Sequence, residues 1–116
     1  WRKLCINAAG VVNALTGKPA GVVRDEYAAG LMRRIVDETV AVARAEGVDL
    51  PEGMADEVIE IYRGQPEDSV NSLLADRQAG RPMEIDIRNG VIVRLGAKHG
   101  VATPFSEMAV ALLKIG

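Results

Sequence analysis

The chain has 116 residues, 48% of them hydrophobic but only 3% aromatic, which suits one domain with a single aliphatic core. Its 14 basic and 16 acidic residues leave a net charge of −2, which argues against a nucleic-acid or anionic-membrane surface. No apolar run approaches the roughly 20 residues of a membrane-spanning helix, and no signal-peptide pattern is present.

Helical spacing begins at once, and no stretch alternates apolar and polar residues as a strand does. Leu4, Ala8, Val11, Val12 and Leu15 form one apolar stripe; Lys3, Asn7, Gly10 and Ala14 form a neighbouring stripe of polar and small side chains. The chain opens at Trp1 inside this pattern, so a piece of a longer polypeptide is expected. Cys5 is the single cysteine and can make no internal disulfide, which fits a reducing cytoplasm. Gly17-Lys-Pro-Ala-Gly21 breaks the pattern. Gly10 to Lys18 has the wrong glycine spacing for a phosphate loop, and Pro19 stands where Ser or Thr is required.

Asp25 is a predicted N-cap for a helix through about Glu46, stopped by Gly47, with Ala28, Leu31, Met32, Ile35, Val42 and Ala43 inward. Asp49-Leu-Pro-Glu52 reads as the start of a helix that buries Met54, Ala55, Val58, Ile61 and Tyr62. After the turn Gln65-Pro-Glu-Asp68 comes a short helix with Val70, Leu73 and Leu74 inward. Ala79-Gly-Arg-Pro82 interrupts again. Ile85, Ile92 and Leu95 mark the next helix, which ends at His99-Gly100. Thr103-Pro104 supplies a cap and first-turn proline for a last helix burying Phe105, Met108, Ala109, Leu112 and Leu113. The expected fold is all-α, one domain of about six helices.

Lys3, Asn7, Ser72 and Glu84 stand out inside this apolar text as one cation, one carboxylate and two neutral hydrogen-bonding groups. Such a set can hold a small oxyacid and hand it a proton. With one His and one Cys, a protein-built metal site has almost no support.

At Lys3-Leu-Cys-Ile-Asn7, Ser72-Leu-Leu-Ala-Asp76, Glu84-Ile-Asp-Ile-Arg-Asn-Gly90 and Lys98-His-Gly-Val-Ala-Thr-Pro104 the chain resembles the C-terminal domain of the ketopantoate reductase (2-dehydropantoate 2-reductase) family. The helical fold is thus expected to be like that of the 6-phosphogluconate dehydrogenase-like reductases. The resemblance implies an NADPH-dependent enzyme reducing 2-dehydropantoate to pantoate for pantothenate and coenzyme A synthesis. Its partners would be a small 2-keto acid and an absent N-terminal Rossmann domain that binds most of the NADPH; a homodimer is compatible. Residues 1–116 would be the substrate-binding and catalytic domain, inactive alone. By the same resemblance Lys3 matches the proton donor, while Asn7, Ser72 and Glu84 match substrate-binding residues.

The family's second asparagine falls four residues after the first, and Val11 occupies that place here. The next, Asn13, points about 120° away from Asn7 on a straight helix. Either a local bulge at Gly10 restores Asn13 as a substrate-binding residue, or the contact is missing and another keto acid is the substrate.

Blander readings stand beside these. Lys3 could be an ordinary solvated lysine, Glu84 a first-turn acid favoured by the helix dipole, and Ser72 a surface serine with Ser69 as the true cap or Asn71 as a substitute contact. A non-catalytic helical dimerisation module is the alternative of another class.

Overall fold

The structure, a computed structural model, describes residues 1–116, and every regular element in it is helical. In chain order these are α1 (Arg2–Ala9), α2 (Val11–Thr16), a 3-10 turn (Ala20–Arg24), α3 (Glu26–Ala45), α4 (Met54–Arg63), α5 (Ser72–Gln78), a π-helical turn (Asp86–Gly90), α6 (Val91–His99) and α7 (Pro104–Ile115). If α1 and α2 are taken as one broken helix, and the π turn as the start of α6, there are six, as the periodicity predicts. None is long and apolar enough to cross a membrane.

The longest helix, α3, is the centre of the domain, with α1, α4, α6 and α7 packed against it. It starts where the sequence says it should, because the Asp25 side chain accepts from the backbone N–H groups of Tyr27 (2.9 Å) and Ala28 (3.1 Å). It stops at Gly47, whose φ of 84° takes the left-handed conformation that glycine adopts without strain. Met32, Ile35, Val36, Val42 and Ala43 of α3 are buried with Cys5, Val11, Met54, Val58, Ile59, Leu73 and Ile92 in one aliphatic core. At the far end of α3, His99 Nε2 lies 2.5 Å from Glu46 Oε2. That hydrogen bond holds the Glu46 carboxyl below the ordinary carboxylate range.

Four expectations are corrected. The fourth helix begins at Met54 rather than near Asp49, because Gly53 (φ 81°) turns the chain just before it. Val70 is exposed, since Asn71 caps α5 by accepting from Leu74 N–H at 2.8 Å and leaves Val70 outside the helix. Leu31, Met108 and Leu112 are exposed as well. They rim an apolar groove of about 180 Å³ with Leu15 and Phe105, because the buried residues of α7 are Ser106, Ala109 and Leu113. Finally, Thr103 precedes α7 but makes no capping bond. The cap comes from Glu38 on α3, buried, whose carboxylate accepts from Phe105 N–H (2.9 Å), Ser106 N–H (2.8 Å) and Ser106 Oγ–H (2.7 Å). A carboxylate at a helix N-terminus meets unpaired N–H groups and the positive end of the dipole together.

Candidate active site

The helix that carries Lys3 and Asn7 breaks at Gly10. Gly10 keeps right-handed dihedrals, but its N–H reaches back three residues to the Asn7 carbonyl (3.2 Å) rather than four. Such a tightened turn frees carbonyl oxygens of the helix, which need other donors. Tyr62 and Asn89 supply them, and Asn71 adds a further bond to the Gly10 carbonyl, which already accepts from the Asn13 and Ala14 N–H groups. Tyr62 Oη–H donates to the Ile6 carbonyl at 2.8 Å, Asn89 Nδ2 to Ala8 at 3.2 Å, and Asn71 Nδ2 to Gly10 at 3.1 Å. They come from α4, the π turn and the cap of α5. A Cβ on Gly10 would lie 2.8 Å from Asn71 Nδ2 and 2.9 Å from Tyr62 Oη, so the break also needs the absence of a side chain. Burial pushes the Tyr62 phenol up to about 12, although the charge of Arg88 and the hydrogen bond with Asn71 act the other way. Burial likewise pushes the Cys5 thiol up to about 11.

Around this break lie the residues singled out from the sequence. Lys3 is exposed on α1 and pairs with no acidic side chain; Asn7, one turn on, is half-buried. Ser72 is the first residue of α5, exposed, and accepts a hydrogen bond from Arg88 Nη2 at 2.6 Å. Glu84 is exposed just before the π turn. The π turn packs directly on α1, so the segment beginning at Glu84 and the helix bearing Lys3 are neighbours. No ion pair joins Lys3 to Glu84, and the two largest cavities, of about 590 and 510 Å³, are lined by other residues.

Asn13 is different. It is buried, donates to the carbonyls of Lys18 (3.0 Å) and Pro19 (3.1 Å), and accepts from Asn71 Nδ2 at 3.3 Å. The break at Gly10 is real, yet it turns Asn13 toward the loop after α2 and gives its amide to the fold. Asn71 is likewise a cap and a clamp on Gly10 rather than a substitute for Ser72.

Sequence reasoning missed Arg88 and Asn89. Asn89 shares the spacing of Ile85 and Ile92, which marks it as facing inward, and it is fully buried with its Oδ1 unpaired. Arg88 follows Glu84 by four residues, about one turn, which is the signal that could have drawn it into the constellation. Gly90 is crowded by its own turn: a Cβ there would meet Asp86 Oδ1 at 3.1 Å and the Ile85 carbonyl at 3.3 Å.

Residues 1–115 match the family model described as the ketopantoate reductase PanE/ApbA C terminal. The chain belongs to that family. Among its relatives, it is 61% identical to 2-dehydropantoate 2-reductase of Caulobacter vibrioides over 97% of this chain and 39% of that protein. It is 26% identical to dimeric ketopantoate reductase from Staphylococcus aureus, with a TM-score of 0.93 over 99% of this chain and 41% of the other. A D-mandelate dehydrogenase solved with NADH and anilino(oxo)acetate also shares the fold, at 28% identity and a TM-score of 0.86 over 98% of this chain and 49% of that one. The chain spans about two-fifths of the length of the two ketopantoate reductases.

Proposed function

We propose that residues 1–116 are the helical substrate domain of an NADPH-dependent reductase that converts 2-dehydropantoate to pantoate, in the cytoplasm, for pantothenate and coenzyme A synthesis. The observation that carries this reading is the 61% identity to a 2-dehydropantoate 2-reductase across nearly the whole chain. The exposed amine of Lys3, with no acid paired to it, suits a proton donor that must meet its substrate. The nucleotide's principal site belongs to a Rossmann domain preceding these residues, since no Gly-x-Gly-x-x-Gly occurs here. When bound, the reduced nicotinamide supplies the hydride for the keto carbon.

The rest is the task of this chain's side chains. As negative charge grows on the keto oxygen, the Lys3 ammonium stabilises it and gives up a proton to make the hydroxyl. Solvent then returns a proton to the exposed amine. Glu84 accepts a hydrogen bond from the substrate hydroxyl and balances the charge of Lys3. Asn7 and Ser72 hold the substrate without adding charge. Pairing of two such polypeptides, as in the dimeric Staphylococcus aureus enzyme, belongs to the same reading.

A second reading, reduction of a different small 2-keto acid, is supported by the burial of Asn13 against the carbonyls of Lys18 and Pro19 and by the likeness to D-mandelate dehydrogenase. Steady-state rates of the full-length enzyme on a panel of 2-keto acids separate the two. Higher kcat/KM on another acid than on 2-dehydropantoate would overturn the first. In the same enzyme Lys3→Ala is expected to lower kcat by at least about 100-fold; a near-normal kcat would remove Lys3 from the role of donor.

A further inference from the structure

The four residues of the proposed site leave one charge unanswered. A 2-keto acid carries a carboxylate, and its reduction develops a second negative charge on the keto oxygen. Lys3 faces the second. Asn7 and Ser72 are neutral and Glu84 is an anion, so the carboxylate lacks a cation.

Arg88 meets that need. It is half-buried, and one of its N–H groups goes to Ser72 Oγ at 2.6 Å. Arg2, Arg24, Arg33, Arg63 and Arg81 each pair with an acidic side chain, but no carboxylate lies within 4 Å of the Arg88 guanidinium. Only its Nη2 is engaged, so further N–H groups of the planar fork are available to a carboxylate. The backbone beneath it is fixed. Asn89, the next residue, is buried and hydrogen-bonded to Ala8, one residue after Asn7. The wide π turn directs Asn89 to α1 and Arg88 to the start of α5, and single π turns inside helices are frequent at functional sites.

We propose that Arg88 is the anchor for the substrate carboxylate, held ready by Ser72 and by the Asn89 tether to α1. This deepens the reductase reading and rests on it. Arg88 thereby sets the preference for an acid over an uncharged ketone, whichever acid is the natural one. The neutral hydroxyl of Ser72 shares the same carboxylate, or steadies the guanidinium until it arrives.

The test uses the full-length enzyme with NADPH and two substrates, 2-dehydropantoate and its lactone, which lacks the carboxylate. Loss of a charge-assisted fork corresponds to about a 10- to 100-fold loss of affinity. Arg88→Met is therefore expected to raise KM for the acid by that factor, with a much smaller change in kcat. The advantage of acid over lactone should shrink in parallel, and KM for NADPH should stay put. Arg88→Lys keeps the charge but not the fork and should fall between; it decides the matter by the same ratio if the Met variant does not fold. An unchanged acid-to-lactone ratio in the folded variants overturns the role of Arg88 while leaving the reductase reading intact. An unsubstituted enzyme that reduces no 2-keto acid overturns the reductase reading, and this proposal with it.

Discussion

Asn89 shows how one buried amide can hold a site residue in place without touching a ligand. Its Nδ2 donates to the Ala8 carbonyl at 3.2 Å, while its Oδ1 is buried without a partner. A buried polar atom left unpaired is destabilising, so the amide's value lies in the one bond it does make. Asn89→Asp, nearly the same shape, would bring a carboxylate oxygen against the Ala8 carbonyl in a site with no nearby hydrogen-bond donor for it. A loss of about 3 kcal/mol is expected in urea unfolding, because an unpaired charge would be buried. Asn89→Ala removes the lone oxygen together with the bond and should cost less. Equal losses would mean that the amide serves only to fill space. At this scale the sequence offered candidates where chemistry follows residue type, as with Lys3 and Glu84, whose roles rest on the proposal above. It was silent where two side chains meet across 16 residues, as with Ser72 and Arg88.

Some helix starts and stops set by local backbone chemistry were readable, though the turn at Gly53 and the cap at Asn71 were not, and those set by distant partners were hidden. Asp25 caps α3 from one residue before it, and Gly47 ends it. The apolar stripe from Leu4 to Leu15 runs on through α1 and α2 and does not decide whether Gly10 breaks the helix, because the donors around the break lie at Tyr62, Asn71 and Asn89. The sequence marks Gly10 as a small residue and as one place for a local bulge, but not the partners that hold it. An ordinary Gly→Ala change inside a helix stabilises by about 1 kcal/mol. At Gly10 the new Cβ would sit within 2.9 Å of both Asn71 Nδ2 and Tyr62 Oη, and overpacking of that kind costs about 1–3 kcal/mol. Crowding is expected to win, so Gly10→Ala should lower the melting temperature. A rise would mean that the clamp yields easily and does not fix the angle between α1 and α2. The surplus apolar residues of α7 misled for a related reason. Periodicity marks Met108 and Leu112 as inward, but nothing in this chain covers the groove they border.

For the molecule as a whole, two buried acids with raised pKa values set an alkaline limit on stability. The Cys5 thiol goes from an ordinary 9.0 to about 11, and the Tyr62 phenol from 10.0 to about 12. Each is protonated in the folded state where the unfolded chain would already have lost its proton, so folding binds protons across those intervals. Stability is therefore full below pH 9 on this account and falls as the pH climbs from 9 to 12. Urea midpoints measured from pH 7 upward should trace that fall, with Cys5→Ala flattening its first part and Tyr62→Phe its second. A midpoint constant to pH 11 would contradict the burial of both groups. The overall helical architecture needed nothing beyond the hydrophobic pattern, but its closure depended on pairings far apart in sequence. Glu38 reaches its partners 67 and 68 residues later, at Phe105 and Ser106. A polypeptide emerging from the ribosome holds that carboxylate in water until the segment through Ser106 has been made, so the tie between α3 and α7 waits on synthesis itself.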